Sequence, residues 1–296
     1  MSASTLIAIL TAGLTNGAVY ALATIGLSLV WGSLGMLNMA HGALLTLGGY
    51  AAYTVVTTYG LPAPVGFVGG IAAGALAGAI LYGAVVKHLL KQPSETFETN
   101  VLIATVGIGI ALENTILLVY GGQPFRQPTS MDGLLRIGVT SVPVQDIVII
   151  LVSLLMMGVV GWILARTRMG RAIRATAQNR EAAQLMGVPI RRVYLQVLML
   201  AGALAGICGV LVSSITQLSP SLGGDPMLKA FIMCVIAGLG NLPGAVASAF
   251  GLALIEAFVQ FGAGARWGFP VLLLIVILVL IWRPTGLFGR AAIRRL

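Results

Sequence analysis

Apolar runs of about 17–25 residues, long enough to cross a bilayer core, follow one another through almost the whole chain. They fall near 6–30, 36–58, 64–86, 100–120, 144–165, 193–216, 226–240, 243–262 and 267–282. The seventh is short and reads as a half-helix or a re-entrant segment, so eight or nine spans are expected. Only a helix satisfies its own backbone hydrogen bonds within such a run in lipid. The expected fold is therefore all-α: a polytopic transmembrane helical bundle with Gly-broken segments, forming one domain over 1–296. Composition excludes a soluble domain. The chain of 296 residues is 58% hydrophobic and 8% charged, against roughly 25% charged in soluble proteins, too few to cover a water-facing surface.

One stretch breaks the pattern. Residues 166–192 read RTRMGRAIRATAQNREAAQLMGVPIRR, with seven arginines and one acid, Glu181, between two apolar runs. A segment so polar lies in water, and the excess of Lys and Arg in cytoplasmic loops places it inside. Lys87, His88 and Lys91 follow the third run, and Arg283, Arg290, Arg294 and Arg295 follow the last. With nine spans all of these are cytoplasmic, the N-terminus is outside and the C-terminus inside. The loop 121–143 is then external, with Arg126 and Arg136 as minor exceptions. The net charge of +9 sits in these flanking loops without interleaved aromatics, which points to anionic membrane lipid and not to nucleic acid. Cys208 and Cys234 fall in apolar runs and read as core packing. The N-terminus lacks the positive segment of a cleaved signal, so the first run reads as a retained span.

Glycine accounts for 39 residues. Gly70, Gly74 and Gly78 in the third run, and Gly202 and Gly206 in the sixth, form small-xxx-small patterns that let helix backbones approach closely. Two other stretches share a Leu-Gly-x-Leu core: residues 34–37 within WGSLGMLNMAHG, and residues 239–242 within AGLGNLPG. Paired breaks of this kind mark a midplane transport site, because freed backbone groups line a water-filled path; a chance repeat is the alternative. On the first reading Asn38, His41, Gly42, Gly240, Asn241 and Pro243 line a substrate path. Asn38 and His41, three apart, share a helix face, and a helix–helix hydrogen bond is the plainer role for His41. Asn16, Glu113, Asn114 and Glu256 are the other polar residues inside apolar runs. The two acids read as proton-relay groups, as buried acids paired with a neighbouring helix, or as interfacial.

Enzyme signatures are missing: there is no H-E-x-x-H, C-x-x-C or G-x-S-x-G, and two histidines are too few for a histidine-rich metal site. The phosphate-cradling G-x-x-x-x-G-K-[ST] is also missing. The chain is expected to bind no cofactor, and any ATP and Mg belong to separate subunits. Within the arginine stretch, Asn179 is a good N-cap and Glu181 suits the positive end of a helix. The spacing predicts a two-turn helix over Arg180–Met186, stopped at Gly187, with Pro189 in the first turn of the next helix. Its apolar residues Ala182, Ala183, Leu185 and Met186 make a docking knob; a solvated loop that only sets topology is the alternative.

Glu181-Ala182-Ala183 followed by Gly187 resembles the E-A-A-x-x-x-G signature of ABC importer permeases, although the longer form with Ile-x-Leu-Pro is not present. The string RATAQNRE at 174–181, GLSLVWGSLGMLNMAHG at 26–42, LKAFIMCVIAGLGNLPGAVASAFGLALIEA at 228–257 and RPTGLFG at 283–289 resemble, in order, branched-chain amino acid permeases of the LivH type. The resemblance implies a multi-pass permease subunit of a bacterial inner membrane. It implies pairing with a second homologous permease, two ATP-binding cassette subunits docked on Arg180, Glu181, Ala182, Ala183, Leu185, Met186 and Gly187, and a periplasmic substrate-binding protein. The substrates it implies are branched-chain amino acids, with urea, amides or other amino acids carried by relatives. A proton-coupled secondary transporter using His41, Glu113 or Glu256 is the competing class, and a passive channel is a third.

Overall fold

A computed structural model describes residues 3–90, 94–129, 131, 133–137 and 140–289. Lys91, Arg290, Arg294 and Arg295, assigned above to the cytoplasmic side, lie outside the described residues. In chain order the helices are α1 (Ala3–Leu34), α2 (His41–Thr57), α3 (Ala63–Leu81), α4 (Lys87–Leu89), α5 (Ser94–Tyr120), α6 (Val144–Arg166), α7 (Arg168–Gln178), α8 (Arg180–Leu185), α9 (Ile190–Ile215), α10 (Gly224–Ala237), α11 (Leu242–Ala263) and α12 (Gly268–Trp282). A π-helical turn, Tyr82–Val86, joins α3 to α4. Among the described residues, 7 helical segments are long and apolar enough to cross a membrane. Helices α2 and α10, of 17 and 14 residues, are shorter. The chain is a polytopic helical membrane protein.

The expectation of an all-α chain needs one correction. Strands β1 (Leu134–Ile137) and β2 (Thr140–Pro143) form an antiparallel hairpin, in register from Leu134 opposite Pro143 to Ile137 opposite Thr140. The hairpin lies in the polar connection 121–143, where water satisfies the strand edges that lipid could not. Strands of four residues carry too little alternation to show as a period-two pattern.

Two helix pairs dominate the core: α3 along α9, and α1 along α11. Helix α2 lies on α3 and α9, and α10 lies on α11 and α1. Exchanging α1–α2–α3 with α9–α10–α11 thus maps each contact onto its counterpart. The end of α1 at Leu34 and the start of α9 at Tyr194 sit at the same end of the bundle, beside Arg180, so the two triplets run in opposite directions. This is an inverted repeat, the arrangement many transporters build around a midplane site. The glycine patterns seen in the sequence face each other across α3 and α9. A Cβ at Gly74 would strike the Gly202 carbonyl, and one at Gly206 would strike the Gly70 carbonyl.

The two Leu-Gly-x-Leu stretches are not equivalent positions in this repeat. The first joins α1 to α2 and the second joins α10 to α11, and they meet at the arginine-rich end, where a Cβ at Gly32 would lie 2.7 Å from the Gly240 Cα. The equivalent connections are 35–40 and 216–223, which lead into the two short helices and share no motif.

A leucine at Gly206 has to force α3 from α9. Overpacking of this kind costs about 1–3 kcal/mol. Gly206→Leu should lower the unfolding midpoint of the detergent-purified protein by several degrees in a thermal melt, whereas Gly158→Leu, with open space around it, should leave it in place.

Candidate functional site

Helix α2 begins inside the bundle and not at its surface. His41 is fully buried, beside Gly26 of α1 and near the Ala201 carbonyl at mid-length of α9. Ahead of it, Gly35 turns the chain with φ +64°, and residues 36–38 run without regular structure. The Thr105 hydroxyl of α5 accepts the Met39 N–H at 3.1 Å, and the Asn38 side chain accepts the Ala40 N–H at 3.1 Å. These bonds satisfy backbone groups that a continuous helix would have satisfied itself.

Helix α10 begins at the same place from the opposite direction, and the two starts exchange hydrogen bonds. The Gly223 N–H donates to the Thr46 hydroxyl of α2 at 3.0 Å, and the Gly42 N–H donates to the Met227 sulfur of α10 at 3.3 Å. The Thr46 hydroxyl donates in turn to the Gly42 carbonyl at 3.3 Å. Each glycine is matched to the residue four further along the other helix, as the inverted repeat requires. Neither site has room for a side chain: a Cβ at Gly42 would lie 2.8 Å from the Gly223 carbonyl oxygen. Two helix N-termini, each carrying about half a positive charge, therefore converge in the interior.

A cavity of 260 Å³ opens beside this junction, lined by Met39, Gly42, Ala43 and Thr46, by Val106, Gly109, Ile110 and Glu113 of α5, and by Pro220, Ser221, Gly224 and Met227. Its volume falls just below the range of drug-sized pockets, about 300–1,000 Å³, and suits a smaller molecule. Its walls are mostly apolar. Glu113 is the one ionisable residue among them, and no hydrogen bond or ion pair among the described residues reaches it.

Behind the junction lies an ionic cluster in which Lys229 and Glu256 are buried and Asp225 is exposed. The Lys229 ammonium of α10 is 2.9 Å from Glu256 Oε1 of α11 and 3.1 Å from Asp225 Oδ2. It donates to the Tyr20 hydroxyl of α1 at 2.9 Å, and Gln260 donates to Glu256 Oε1 at 3.0 Å. Of the alternatives for Glu256, the structure selects the buried acid paired with a neighbouring helix. Its partner Lys229 escaped the sequence reading, as did Thr46 and Met227. The signal was present in Asp225-x-x-x-Lys229, an opposite-charge pair at i, i+4 at the start of an apolar run.

The six residues assigned to a substrate path fall into two places. Gly42 lines the cavity. Asn38 and His41 are buried beside it, and neither ring nitrogen of His41 has a hydrogen-bond partner. Gly240, Asn241 and Pro243 lie instead at the arginine-rich end. There the Asn241 side chain caps α11, accepting the Gly244 N–H at 3.0 Å and donating to the Phe288 carbonyl at 2.7 Å.

The arginine stretch holds two helices rather than one. Helix α7 is capped by Thr167, whose hydroxyl accepts the Gly170 N–H at 3.0 Å. It buries Ile173 and Thr176, and Arg174 donates to the Leu164 carbonyl. Helix α8 is capped by Asn179, which accepts the Ala182 N–H at 2.9 Å. It ends at Leu185, one residue short of the sequence expectation, because Met186 is already the cap. Gly187, with φ +83°, closes it: the Gly187 N–H donates to Gln184 and the Val188 N–H to Ala183, both at 3.0 Å, the paired C-terminal bonds that a left-handed glycine permits. Ala183 is buried, and Glu181 and Ala182 are exposed. Leu185 and Met186 are 88% and 85% exposed, so the knob is narrower than expected. At its root the Arg180 guanidinium lies 5.5 Å from the Tyr194 ring centre, and the Tyr194 hydroxyl donates to the Leu34 carbonyl at 3.3 Å.

The family model described as branched-chain amino acid transport system / permease component matches residues 9–281. The high-affinity branched-chain amino acid transport system permease protein LivH of Escherichia coli K12 is 30% identical, over 96% of this chain and 95% of its own. The corresponding protein BraD of Pseudomonas aeruginosa is 29% identical over the same shares. A probable branched-chain amino acid transport permease protein of Methanocaldococcus jannaschii is 27% identical over 90% of this chain and 88% of its own. No solved structure matches.

Breaking a buried ion pair from one side costs about 3–5 kcal/mol, while neutralising both sides together costs far less. Lys229→Met should therefore lower the thermal midpoint sharply, and Lys229→Met combined with Glu256→Gln should recover most of the loss, as read by melts of the two variants in one detergent.

Proposed function

The chain belongs to the family of branched-chain amino acid transport permease components, and on that footing we propose that it forms half of the membrane path of an importer for branched-chain amino acids. The carrying observation is the family match, which covers nearly the whole chain. The broken helices α2 and α10 and the cavity at their junction support the same reading, since irregular backbone at membrane depth is tolerated where it lines a cavity.

In this reading the segments 35–40 and 216–223 complete two further crossings. The chain then spans the membrane nine times, with the N-terminus outside and the arginine-rich end and the C-terminus in the cytoplasm. A second permease covers the open side of the cavity, because an unpaired Glu113 at membrane depth is too costly to leave facing lipid. ATP and Mg act on two separate ATPase subunits, and a periplasmic protein delivers substrate.

Helix α8 is the coupling element. Its exposed Leu185 and Met186 seat in the ATPase, while Arg180, Tyr194 and the Leu34 carbonyl tie its root to the segment that carries α2. Displacement of α8 would thus reach the half-helix junction through short, stiff connections. A stand-alone proton-coupled transporter loses one of its three candidates, because Glu256 is engaged by Lys229.

The test is reconstitution of both permeases, the ATPase pair and the binding protein in proteoliposomes. Leucine, isoleucine or valine should accumulate only with ATP; accumulation driven by a proton gradient with the ATPases omitted would overturn the reading. Leu185→Asp with Met186→Asp should abolish co-purification of the ATPases and uptake together, while leaving the melting temperature of the permease within a few degrees, since both side chains stand in solvent.

A further inference from the structure

We propose that Glu113 holds the ammonium group of the substrate in the half-helix cavity, an assignment that rests on the transport reading above. Three observations converge on it. Glu113 is the ionisable side chain lining the 260 Å³ cavity, and the other walls are chiefly apolar, with Met39, Val106, Ile110 and Met227 prominent. The cation of α10 is already committed: Lys229 is shared between Asp225 and Glu256, at 3.1 and 2.9 Å. Finally, α5 carries Glu113 through the membrane region on a helix whose neighbouring polar residues are self-satisfied. Asn114 donates to the Ile110 carbonyl at 2.8 Å and Thr115 to the Ala111 carbonyl at 2.7 Å. Glu113 lacks even such a local bond and is exposed on this chain, and an uncompensated carboxylate on a helix that crosses a membrane calls for a cation from outside the chain.

The surroundings say what kind of cation. The positive ends of α2 and α10 converge on the same cavity, and a free metal ion or a simple ammonium ion gains nothing from them. A molecule that brings its own negative charge with the ammonium does. A zwitterion with a compact apolar side chain meets all three features at once: the carboxylate of Glu113, the positive helix ends and the apolar wall. Glu113 is thereby a specificity-determining residue, which separates amino acids from neutral amides and urea of similar size.

The test uses the complete transporter in nanodiscs without nucleotide, with Ala43→Cys as a reporter in the cavity wall. Cys208 and Cys234 are buried and give a low background toward a small neutral thiol reagent. Leucine should slow labelling of the reporter, and Glu113→Gln should raise the half-protecting leucine concentration by at least about tenfold, the ordinary worth of one charged hydrogen bond. Glu113→Asp should restore most of the protection. 4-Methylpentanamide, which lacks both charges, should protect the parent and the Gln variant equally poorly. An unchanged half-protecting concentration in the Gln variant, in a parent that does transport leucine, would overturn the Glu113 assignment alone. A parent that neither transports nor is protected by any branched-chain amino acid would overturn the transport reading and the assignment with it. Dissociation of the two permeases in both the Gln and Asp variants, seen by size exclusion, would show that Glu113 pairs with a cation of the second permease, and would likewise overturn it.

Discussion

The exchange between the starts of α2 and α10 is the contact on which the rest of the structure turns. Gly223 donates to Thr46 and Gly42 donates to Met227, at 3.0 and 3.3 Å, in the interior of a protein that lipid surrounds. A helix start ordinarily exposes unpaired N–H groups to water. Here two such ends are turned toward each other, and each supplies an acceptor for the other. That pairing lets the chain interrupt two helices at membrane depth, and the interruption makes room for a cavity. It also accounts for the glycines: with the backbones this close, a side chain at Gly42 or Gly223 has nowhere to go.

Everything around the junction holds it in register. The α3–α9 and α1–α11 pairs clamp the two half-helices from either side through small-residue contacts. In lipid no hydrophobic force draws helices together, so close packing carries the association. The Lys229 cluster adds a polar tie from α10 to α1 and α11. At the far end of the bundle from the arginines, Tyr50, Tyr53, Tyr120 and Phe125 stack with ring centres 4.6–6.4 Å apart, and Phe125 pairs backbone to backbone with Leu218. The connection leading into α10 is thus anchored from outside, as α5 anchors the one leading into α2. The exposed knob of α8 stands apart from this frame and connects to it through Arg180, Tyr194 and Leu34.

Reading the chain without a structure recovers the helices well, because lipid imposes a length on each apolar run. The nine runs and the helices that replace them agree to within six residues at either end. The cap on α8 was legible for a similar reason: Asn179, Glu181 and Gly187 act on their own backbone neighbours, so local sequence is enough. Three things were not legible. The hairpin at 134–143 is too short to show a period. Helix α7 was hidden because its arginines read as topology rather than as the outer face of an amphipathic helix that buries Ile173. The Leu-Gly-x-Leu repeat suggested the wrong correspondence, because the true repeat is one of contacts between helices and leaves its two equivalent connections with different sequences.

By itself the sequence determined that the chain crosses a membrane many times, which residues cap α8 at its start and stop, and which glycines allow close approach. These are consequences of local composition acting on local backbone. Tertiary structure alone decided which glycine stripe meets which, that two helix starts face each other at mid-depth, that Lys229 is shared by two acids, and that Glu113 rather than His41 looks into the cavity. Such facts depend on residues up to 209 positions apart, as Tyr20 and Lys229 are. In a chain this uniform in Gly, Ala, Leu and Val, many helix pairings are nearly equal by composition. Contact geometry at a few small and polar residues chooses among them.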